Sequence, residues 1–302
     1  MKKNRFFSFA VILLAYLVAF IGGALVWHYL GLYLADIRND NLFSYYILLF
    51  LVSDVVATII IWIFSTIFNN ASIYDPYWSV LPMVMAVVFA KDLANFAPNT
   101  WIMIALVEAW GLRLTINWAL SFKNLTIQDF RYDHYKQKFP KLWPLVNLFG
   151  IHLFPTLVVF LGMLSVIAYM QATPSFNLAT FMSIALCIAA IVIEMVADIQ
   201  MKQARKKPHH GLIITGLWKR SRHPNYLGEI TFWLSLYLIM LSLAENMWIL
   251  GLGPMVVLLL FGFVSVPLME KHLSSKYPEY AEYKKTTNTF LIFPAKSNPK
   301  DE

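Results

Sequence analysis

The chain has 302 residues, of which 59% are hydrophobic and only 14% are charged, and its formal net charge is +7. Soluble domains carry roughly a quarter of charged residues, so this composition excludes an ordinary soluble protein and indicates an integral membrane protein. A single cysteine, Cys187, leaves neither a disulfide framework nor a thiolate metal site to consider.

Apolar segments recur along the whole chain, and a transmembrane helix needs about 20 mostly apolar residues. In chain order they cover residues 6–34, 42–68, 76–90, 100–122, 148–171, 176–199, 226–244 and 247–269. The segment 76–90 is short, since it spans only about 22 Å as a helix. We therefore predict an all-α fold, in which residues 1–302 form a single polytopic membrane helix bundle with seven to eight transmembrane helices.

The polar tail after these segments has a helical pattern of its own. Leu273, Tyr277, Tyr280 and Tyr283 are spaced three and four residues apart. This spacing predicts an amphipathic C-terminal helix on the membrane surface, with the tyrosines anchored among the lipid headgroups.

Lysine and arginine are distributed unevenly among the polar connections. With eight spans, one side holds the basic start of the chain, segments 123–141 and 202–222, and the tail, whereas the other side holds only Arg38 and Lys91. The positive-inside rule then places both termini in the cytoplasm. Because the positive charge is explained as a topology signal, we expect membrane lipid and no nucleic acid as a partner.

Acidic residues inside the apolar segments mark candidate sites, because a charge within the membrane is costly. They are Asp54, Glu108, Glu194, Asp198 and Glu229. Most lie near the cytoplasmic ends of their helices, which predicts a cytosol-facing polar cavity for an anionic ligand. In the alternative interpretation they neutralise basic residues in the bundle, with Arg113 taking Glu108 or Asp198 and Arg222 taking Glu229.

The segment 202–222 contains seven lysines and arginines. A dinucleotide phosphate brings several negative charges, and guanidinium groups match the oxygens of a phosphate, so this segment favours NADPH as the ligand. The alternatives are that the cations only set the topology or bind anionic lipid. We expect the pair His209–His210 to be solvated, and we predict no metal site.

Several motifs carry a resemblance to a known family. "GLWKRSRHPNYLGE" begins at residue 216, "EMVADIQMKQARKK" at 194 and "MEKHLSSKYPEYAEYKK" at 269, and the shorter "WGLRL" and "QDFRYDHY" begin at 110 and 128. Over residues 75–294 the chain resembles steroid 5-alpha-reductase-like membrane proteins, especially their uncharacterised bacterial branch.

This resemblance implies an NADPH-dependent oxidoreductase that reduces a carbon–carbon double bond conjugated to a ketone in a lipophilic substrate. The cofactor would be bound by Arg113, Asp198, Lys202, Arg205, Trp218, Arg222, His223, Asn225 and Tyr226. Glu229 would brace the turn, and the tail residues Glu270, Tyr280 and Tyr283 would close the site.

The substrate half of the site departs from the family pattern. Steroid reductases hold the substrate carbonyl with a Gln-Glu pair and a tyrosine, whereas this chain has "IYDPYWS" from residue 73 and Trp110 in the tyrosine's place. We expect a tyrosine polarised by Asp75, either Tyr74 or Tyr77, to be the catalytic hydrogen-bond donor. In the alternative interpretation the stretch is only an interfacial turn.

Two other functions remain open on the sequence alone. "RHPNY" also resembles the isoprenylcysteine carboxyl methyltransferase type of enzyme, which would use S-adenosylmethionine in the same cavity. A non-catalytic lipid-binding protein on the same fold is the third possibility. The sequence determines neither the substrate nor the oligomeric state.

Overall fold

The computed structural model describes residues 4–172, 176–206 and 211–292, and their secondary structure is helical. The helices are α1 Arg5–Tyr33, α2 Ala35–Asp40, α3 Leu42–Phe68, α4 Tyr77–Asp92, α5 Pro98–Ser121, α6 Phe130–Lys138, α7 Trp143–Leu145, α8 Phe154–Gln171, α9 Leu178–Lys206, α10 Pro224–Leu241, α11 Leu252–Leu260, α12 Val266–Lys276 and α13 Tyr280–Thr286. Within these ranges there is no β-strand, and one isolated parallel bridge joins Ser221 to Asn288. The predicted all-α class is confirmed.

Seven helical segments of the described chain are long and apolar enough to cross a membrane. They are Arg5–Tyr33, Leu42–Phe68, Ala71–Asp92, Pro98–Ser121, Trp143–Gln171, Leu178–Lys206 and Glu245–Lys276. The segment predicted to be short is longer than expected, because a 3₁₀ turn at Ala71–Ile73 extends it to 22 residues. The segment predicted over 226–244 forms α10 but is not among the seven, since its first two turns contain Pro224, Asn225 and Glu229.

The chain forms two compact units, Met1–Thr173 and Pro174–Glu302. In the N-terminal unit α1 packs along α3, α4 packs along α5, and α8 contacts both α3 and α4. Residues Val146–Leu153, which lead into α8, form a π-helical segment. The buried side chains of this unit include large aromatic residues such as Tyr46, Phe50, Tyr77 and Trp110.

In the C-terminal unit α10 packs along α9, and the two backbones approach closely at Gly228. A Cβ atom at Gly228 would lie 2.2 Å from Cγ of Glu194 and 2.8 Å from the carbonyl oxygen of Ala190. The buried side chains of α9, including Cys187, Ala190, Glu194 and Ala197, recur at helical spacing and form the matching face. The absence of a side chain at residue 228 therefore sets the distance between these helices.

The tail contains two helices where the sequence predicted one. Helix α12 ends at Lys276, Tyr277 is extended with φ −129° and ψ 106°, and α13 begins at Tyr280. Pro278 explains the break, because its ring disfavours a helical conformation at the preceding residue. The break redirects the chain before Tyr280 and Tyr283.

We expect Gly228→Ala to lower the free energy of unfolding by about 1–3 kcal/mol, because the new methyl group would overlap a backbone carbonyl that cannot rotate away. Gly262→Ala is the matched control, since a Cβ at that glycine would meet nothing within 4 Å. Thermal unfolding of both variants in detergent tests this. Equal melting temperatures for the two variants would contradict the close approach at Gly228.

Candidate functional site

The segment that begins α10 is joined to the tail by backbone hydrogen bonds. The Arg222 N–H donates to the Asn288 carbonyl at 2.9 Å, and the His223 N–H donates to the Thr289 carbonyl at 3.0 Å. The Ser221 hydroxyl adds a hydrogen bond to the Phe290 carbonyl at 2.7 Å. The chain just before α10 is thus held by residues more than 60 positions later.

The Arg222 side chain extends this connection and is 8% exposed. Its Nε donates to Glu270 Oε1 at 2.8 Å, and its Nη2 donates to the Thr289 hydroxyl at 2.8 Å. Its Nη1 donates to the carbonyl oxygens of Lys284 and Thr287. Four of the five guanidinium N–H groups are therefore used within the protein.

Glu270 is 6% exposed, and its carboxylate contacts three basic side chains. Besides Arg222, Lys284 Nζ lies 2.7 Å from its Oε2, and His223 Nε2 lies 3.4 Å from its Oε1. A buried carboxylate is stable only when its charge is compensated by such contacts. We call Arg222, His223, Glu270 and Lys284 the Arg222 cluster.

The two tyrosines of α13, Tyr280 and Tyr283, contact other residues of the C-terminal unit. Tyr280 is 1% exposed, and the Tyr283 hydroxyl donates to the carbonyls of Trp218 and Ser221. Burial raises the pKa of Tyr283 above its usual value, although Arg222 opposes this effect. Tyr283 therefore stays protonated near neutral pH and keeps donating. The burial of Tyr280 differs from the exposed position that anchoring among the headgroups would require, whereas anchoring of the half-buried Tyr283 stays a prediction.

The loop before the cluster is fixed to α9. Trp218 Nε1 donates to the Ala197 carbonyl at 3.0 Å, and the Leu217 N–H donates to Gln200 Oε1 at 2.8 Å. Gly216 makes the turn with φ +61°, a conformation that favours glycine. Trp218 thus acts in the structure as an attachment of this loop to the helix.

The predicted cofactor residues fall in both compact units of the chain. The C-terminal unit contains Asp198, Lys202, Arg205, Trp218, Arg222, His223, Asn225, Tyr226, Glu229, Glu270, Tyr280 and Tyr283, whereas Arg113 belongs to the N-terminal unit. Lys202 and Arg205 are exposed on the last turns of α9. The rings of His223 and Tyr226 stack at 5.2 Å with an angle of 6°.

The ion pair proposed between Arg222 and Glu229 is not present. Arg222 pairs with Glu270, and Glu229 accepts a hydrogen bond from Trp233 Nε1 at 2.9 Å, one helical turn along α10. The spacing of four residues between Glu229 and Trp233 is compatible with this contact, whereas the partner of Arg222 is 48 residues away. Only the Glu229–Trp233 contact could be predicted from local spacing.

The predicted catalytic residues lie in the N-terminal unit, and Asp75 does not contact a tyrosine in its own segment. Its Oδ1 accepts a hydrogen bond from the Tyr132 hydroxyl at 2.7 Å. The Tyr77 hydroxyl donates to Asp54 Oδ1 at 3.0 Å, and the Tyr74 hydroxyl is 2.8 Å from the Thr156 hydroxyl. The expectation that Asp75 polarises Tyr74 or Tyr77 is therefore corrected, because the carboxylate beside Tyr77 is that of Asp54.

Tyr132 was not identified from the sequence as a site residue. Burial, and then the nearby Asp75 charge, raise the pKa of its hydroxyl well above the usual value. Its position in the motif "QDFRYDHY" was the sequence feature that pointed to it, but the resemblance assigned no role to this tyrosine. Asp54 was marked as an intramembrane acid, and Thr58 follows it at the spacing of one helical turn on α3.

Metal binding has no support within residues 4–172, 176–206 and 211–292, where no three His, Cys, Asp or Glu side chains form a group that could hold a metal ion. The pair His209–His210 lies outside these ranges, as does Lys207 of the predicted basic segment.

Comparison with known proteins gives one family and one curated relative. The model of a family described as a protein of unknown function (DUF1295) matches residues 61–287. An uncharacterised protein of Schizosaccharomyces pombe is 28% identical over 261 residues, which are 77% of this chain and 75% of that protein. No solved structure matches the chain.

The Arg222 cluster generates a prediction for Glu270→Gln. Removing the carboxylate leaves a buried guanidinium without its counter-charge, so we expect the free energy of unfolding to fall by about 3 kcal/mol and the tail to become accessible to protease. Glu282→Gln is the matched control, because the Glu282–Lys285 pair is exposed and its loss should cost less than about 0.5 kcal/mol. Equal protease resistance of the tail in both variants would show that the cluster does not hold it.

Proposed function

The chain belongs to the DUF1295 family, and we propose that it is a membrane-embedded, NADPH-dependent reductase. Its substrate would be a lipophilic molecule that contains a carbon–carbon double bond conjugated to a ketone. The observation that carries the proposal is the exposed basic surface beside the start of α10 in the C-terminal unit. The resemblance to steroid 5-alpha-reductase-like proteins supplies the reaction class.

The residues of this surface fit the phosphates of a dinucleotide. Lys202, Arg205, Lys219 and Arg220 are exposed. Helix α10 is 18 residues long, and its N-terminus has neither a side-chain cap nor an acidic residue in the first turn. Free N–H groups at a helix N-terminus together with nearby cations favour a bound phosphate.

Polar groups at the same end of α10 suit the neutral parts of the cofactor. Asn225 Oδ1 is buried and accepts no hydrogen bond from the described residues, so it can accept one from a ribose hydroxyl or a carboxamide N–H. The rings of His223 and Tyr226 stack at this end of the helix, and the Tyr226 ring also contacts the Phe261 ring at 4.7 Å. When bound, NADPH would supply the hydride.

Arg222 has a different role from the one expected from the sequence. Because four of its N–H groups are donated to Glu270 and the tail, it positions the segment before α10. The exposed cations would then make the phosphate contacts, and Arg220 is the one two residues before Arg222. Arg222→Lys would weaken cofactor binding through the loss of this positioning.

The substrate requires a hydrogen-bond donor, because negative charge develops on the carbonyl oxygen during hydride addition. The Tyr77 and Tyr132 hydroxyls donate to the carboxyl groups of Asp54 and Asp75. Within the described residues the Tyr74 hydroxyl is hydrogen-bonded to the Thr156 hydroxyl, which can accept or donate. We therefore assign the donor to Tyr74 and treat Asp75 and Tyr77 as residues that order its surroundings.

The membrane orientation is also part of the proposal. Both termini would be cytoplasmic with α10 crossing the membrane as an eighth span beside the seven, since all the basic segments then fall on one side of the membrane. The exposed cations of α9 and of the Gly216–Lys219 turn would then face cytosolic NADPH.

A binding experiment tests the function directly. NADPH should raise the melting temperature of the purified protein, with a stabilisation of about 2.7 kcal/mol at a hundredfold excess over Kd, and NADH should do so less. Arg220→Gln should reduce NADPH affinity by about 1–2 kcal/mol, whereas the exposed Lys276→Gln should leave it unchanged.

Two outcomes would contradict the reductase. Stabilisation by S-adenosylhomocysteine and not by NADPH would identify the methyltransferase alternative. Stabilisation by neither ligand, together with binding of lipid, would favour a non-catalytic lipid-binding protein.

A further inference from the structure

Asp54 lies in the middle of α3 and is 2% exposed. Its Oδ1 accepts hydrogen bonds from the hydroxyls of Tyr77 at 3.0 Å and Thr58 at 3.4 Å. Among the described residues, no hydrogen-bond donor contacts its Oδ2, and no cation forms an ion pair with the carboxyl group. A carboxyl group in such surroundings is held in its protonated form, since ionisation would leave an uncompensated charge inside the bundle.

Two threonine hydroxyls lie between Asp54 and Tyr74, beginning with the 3.4 Å contact of Thr58 to Asp54, which is longer than a usual hydroxyl hydrogen bond. The Thr58 hydroxyl is 2.9 Å from the Thr156 hydroxyl, which is 2.8 Å from the Tyr74 hydroxyl. Thr58 lies on α3, Thr156 on α8 and Tyr74 in the turn before α4, and all three are buried. The four residues Asp54, Thr58, Thr156 and Tyr74 are called the Asp54 chain below.

Each inner member of the Asp54 chain can both accept and donate a proton. A hydroxyl has one donor hydrogen and two acceptor lone pairs. In the Thr58–Thr156 contact and in the Thr156–Tyr74 contact, either oxygen can therefore be the donor. With Asp54 protonated on Oδ1, the oxygen that Thr58 contacts, hydrogen bonds can run from Asp54 towards Tyr74. After one proton has moved along the chain they run back, with Thr58 donating to the carboxylate as in the structure.

His152 is a second titratable group near Tyr74, with ring centroids 4.9 Å apart, but it is not part of this connection. Its Nδ1 lies 2.9 Å from the Asn147 carbonyl oxygen. Because a carbonyl only accepts, Nδ1 carries the proton of the neutral ring and donates it there. The Tyr74 hydroxyl is hydrogen-bonded to Thr156, so Asp54 is the proton source to which it is connected.

We propose that the Asp54 chain supplies the proton of the reductive reaction, an inference that rests on the proposed reductase function. NADPH, when bound, would supply the hydride to the β-carbon, and the electron pair of the double bond would move to the carbonyl oxygen. The Tyr74 O–H bond then breaks, its proton goes to that oxygen, and the resulting enol tautomerises to the saturated ketone.

The remaining transfers restore Tyr74. Its oxygen takes a proton from Thr156, Thr156 takes one from Thr58, and Thr58 takes one from the Asp54 carboxyl group. The Asp54 carboxylate that results is stabilised by the Tyr77 hydroxyl and is reprotonated from water before the next turnover. One hydride and one proton are consumed per double bond, so the charges balance.

Thr156→Val tests the proposal because it removes one hydroxyl from the middle of the chain while nearly keeping the side-chain volume. We expect turnover to fall about 100-fold, the lower end of the range for positioned proton transfer, with unchanged NADPH affinity and a larger solvent deuterium isotope effect. Thr156→Ser restores the hydroxyl and should restore most of the turnover. Thr66→Val, on the same helix as Thr58 but bonded only to the Trp62 carbonyl, is the matched control.

Infrared spectroscopy provides a readout that does not depend on turnover. The parent should have the carbonyl absorption of a protonated carboxyl group that Asp54→Asn removes, and Thr58→Val and Thr156→Val should shift that band whereas Thr66→Val should not. Parent-like turnover and isotope effect in a Thr156→Val variant that binds NADPH would overturn the Asp54 chain and leave the reductase intact. Failure of the parent to bind NADPH would overturn both, and absence of the Asp54 band would overturn the chain alone.

Discussion

The cost of charge inside a helix bundle is the constraint on which both units depend. In the C-terminal unit the Glu270 carboxylate is kept ionised by Arg222 and Lys284, and these contacts hold the tail against the start of α10. In the N-terminal unit Asp54 has no cation and is surrounded by hydroxyl groups, so the same cost is avoided by keeping a proton. The first solution gives a fixed connection, and the second gives a group that can exchange its proton.

These two solutions change how the basic motif around residue 222 is interpreted. The motif contains cations, and its natural interpretation is an anion-binding surface. In the folded chain the two arginines of this motif differ in position. Arg222 is buried and attaches the tail, whereas Arg220 is exposed and could contact a ligand. A binding surface of this kind needs both, because exposed cations on a loop bind a phosphate well only when the loop itself is ordered.

The helices could be predicted from hydropathy because lipid imposes long apolar segments, and residues 42–68 form the predicted helix. The contacts within the site were harder to predict than the helices, since they join residues that are far apart in sequence. Arg222 binds backbone carbonyls of the tail, and every residue has a carbonyl, so nothing in the sequence marks Thr287 as a partner. Asp75 meets Tyr132 across 57 positions. Local signals did find Asp54, because a charge within an apolar segment is unusual wherever its partners lie.

The long separation between Arg222 and its partners has a consequence for synthesis of the chain. Glu270 follows Arg222 by 48 residues and Thr289 follows it by 67. During translation the guanidinium is therefore made well before the groups that bind it in the folded chain. Until those residues emerge, Arg222 must remain in water, and the start of α10 cannot take its final place. Completion of the C-terminal unit is thus ordered in time, with the tail added last as the element that allows the arginine to be buried.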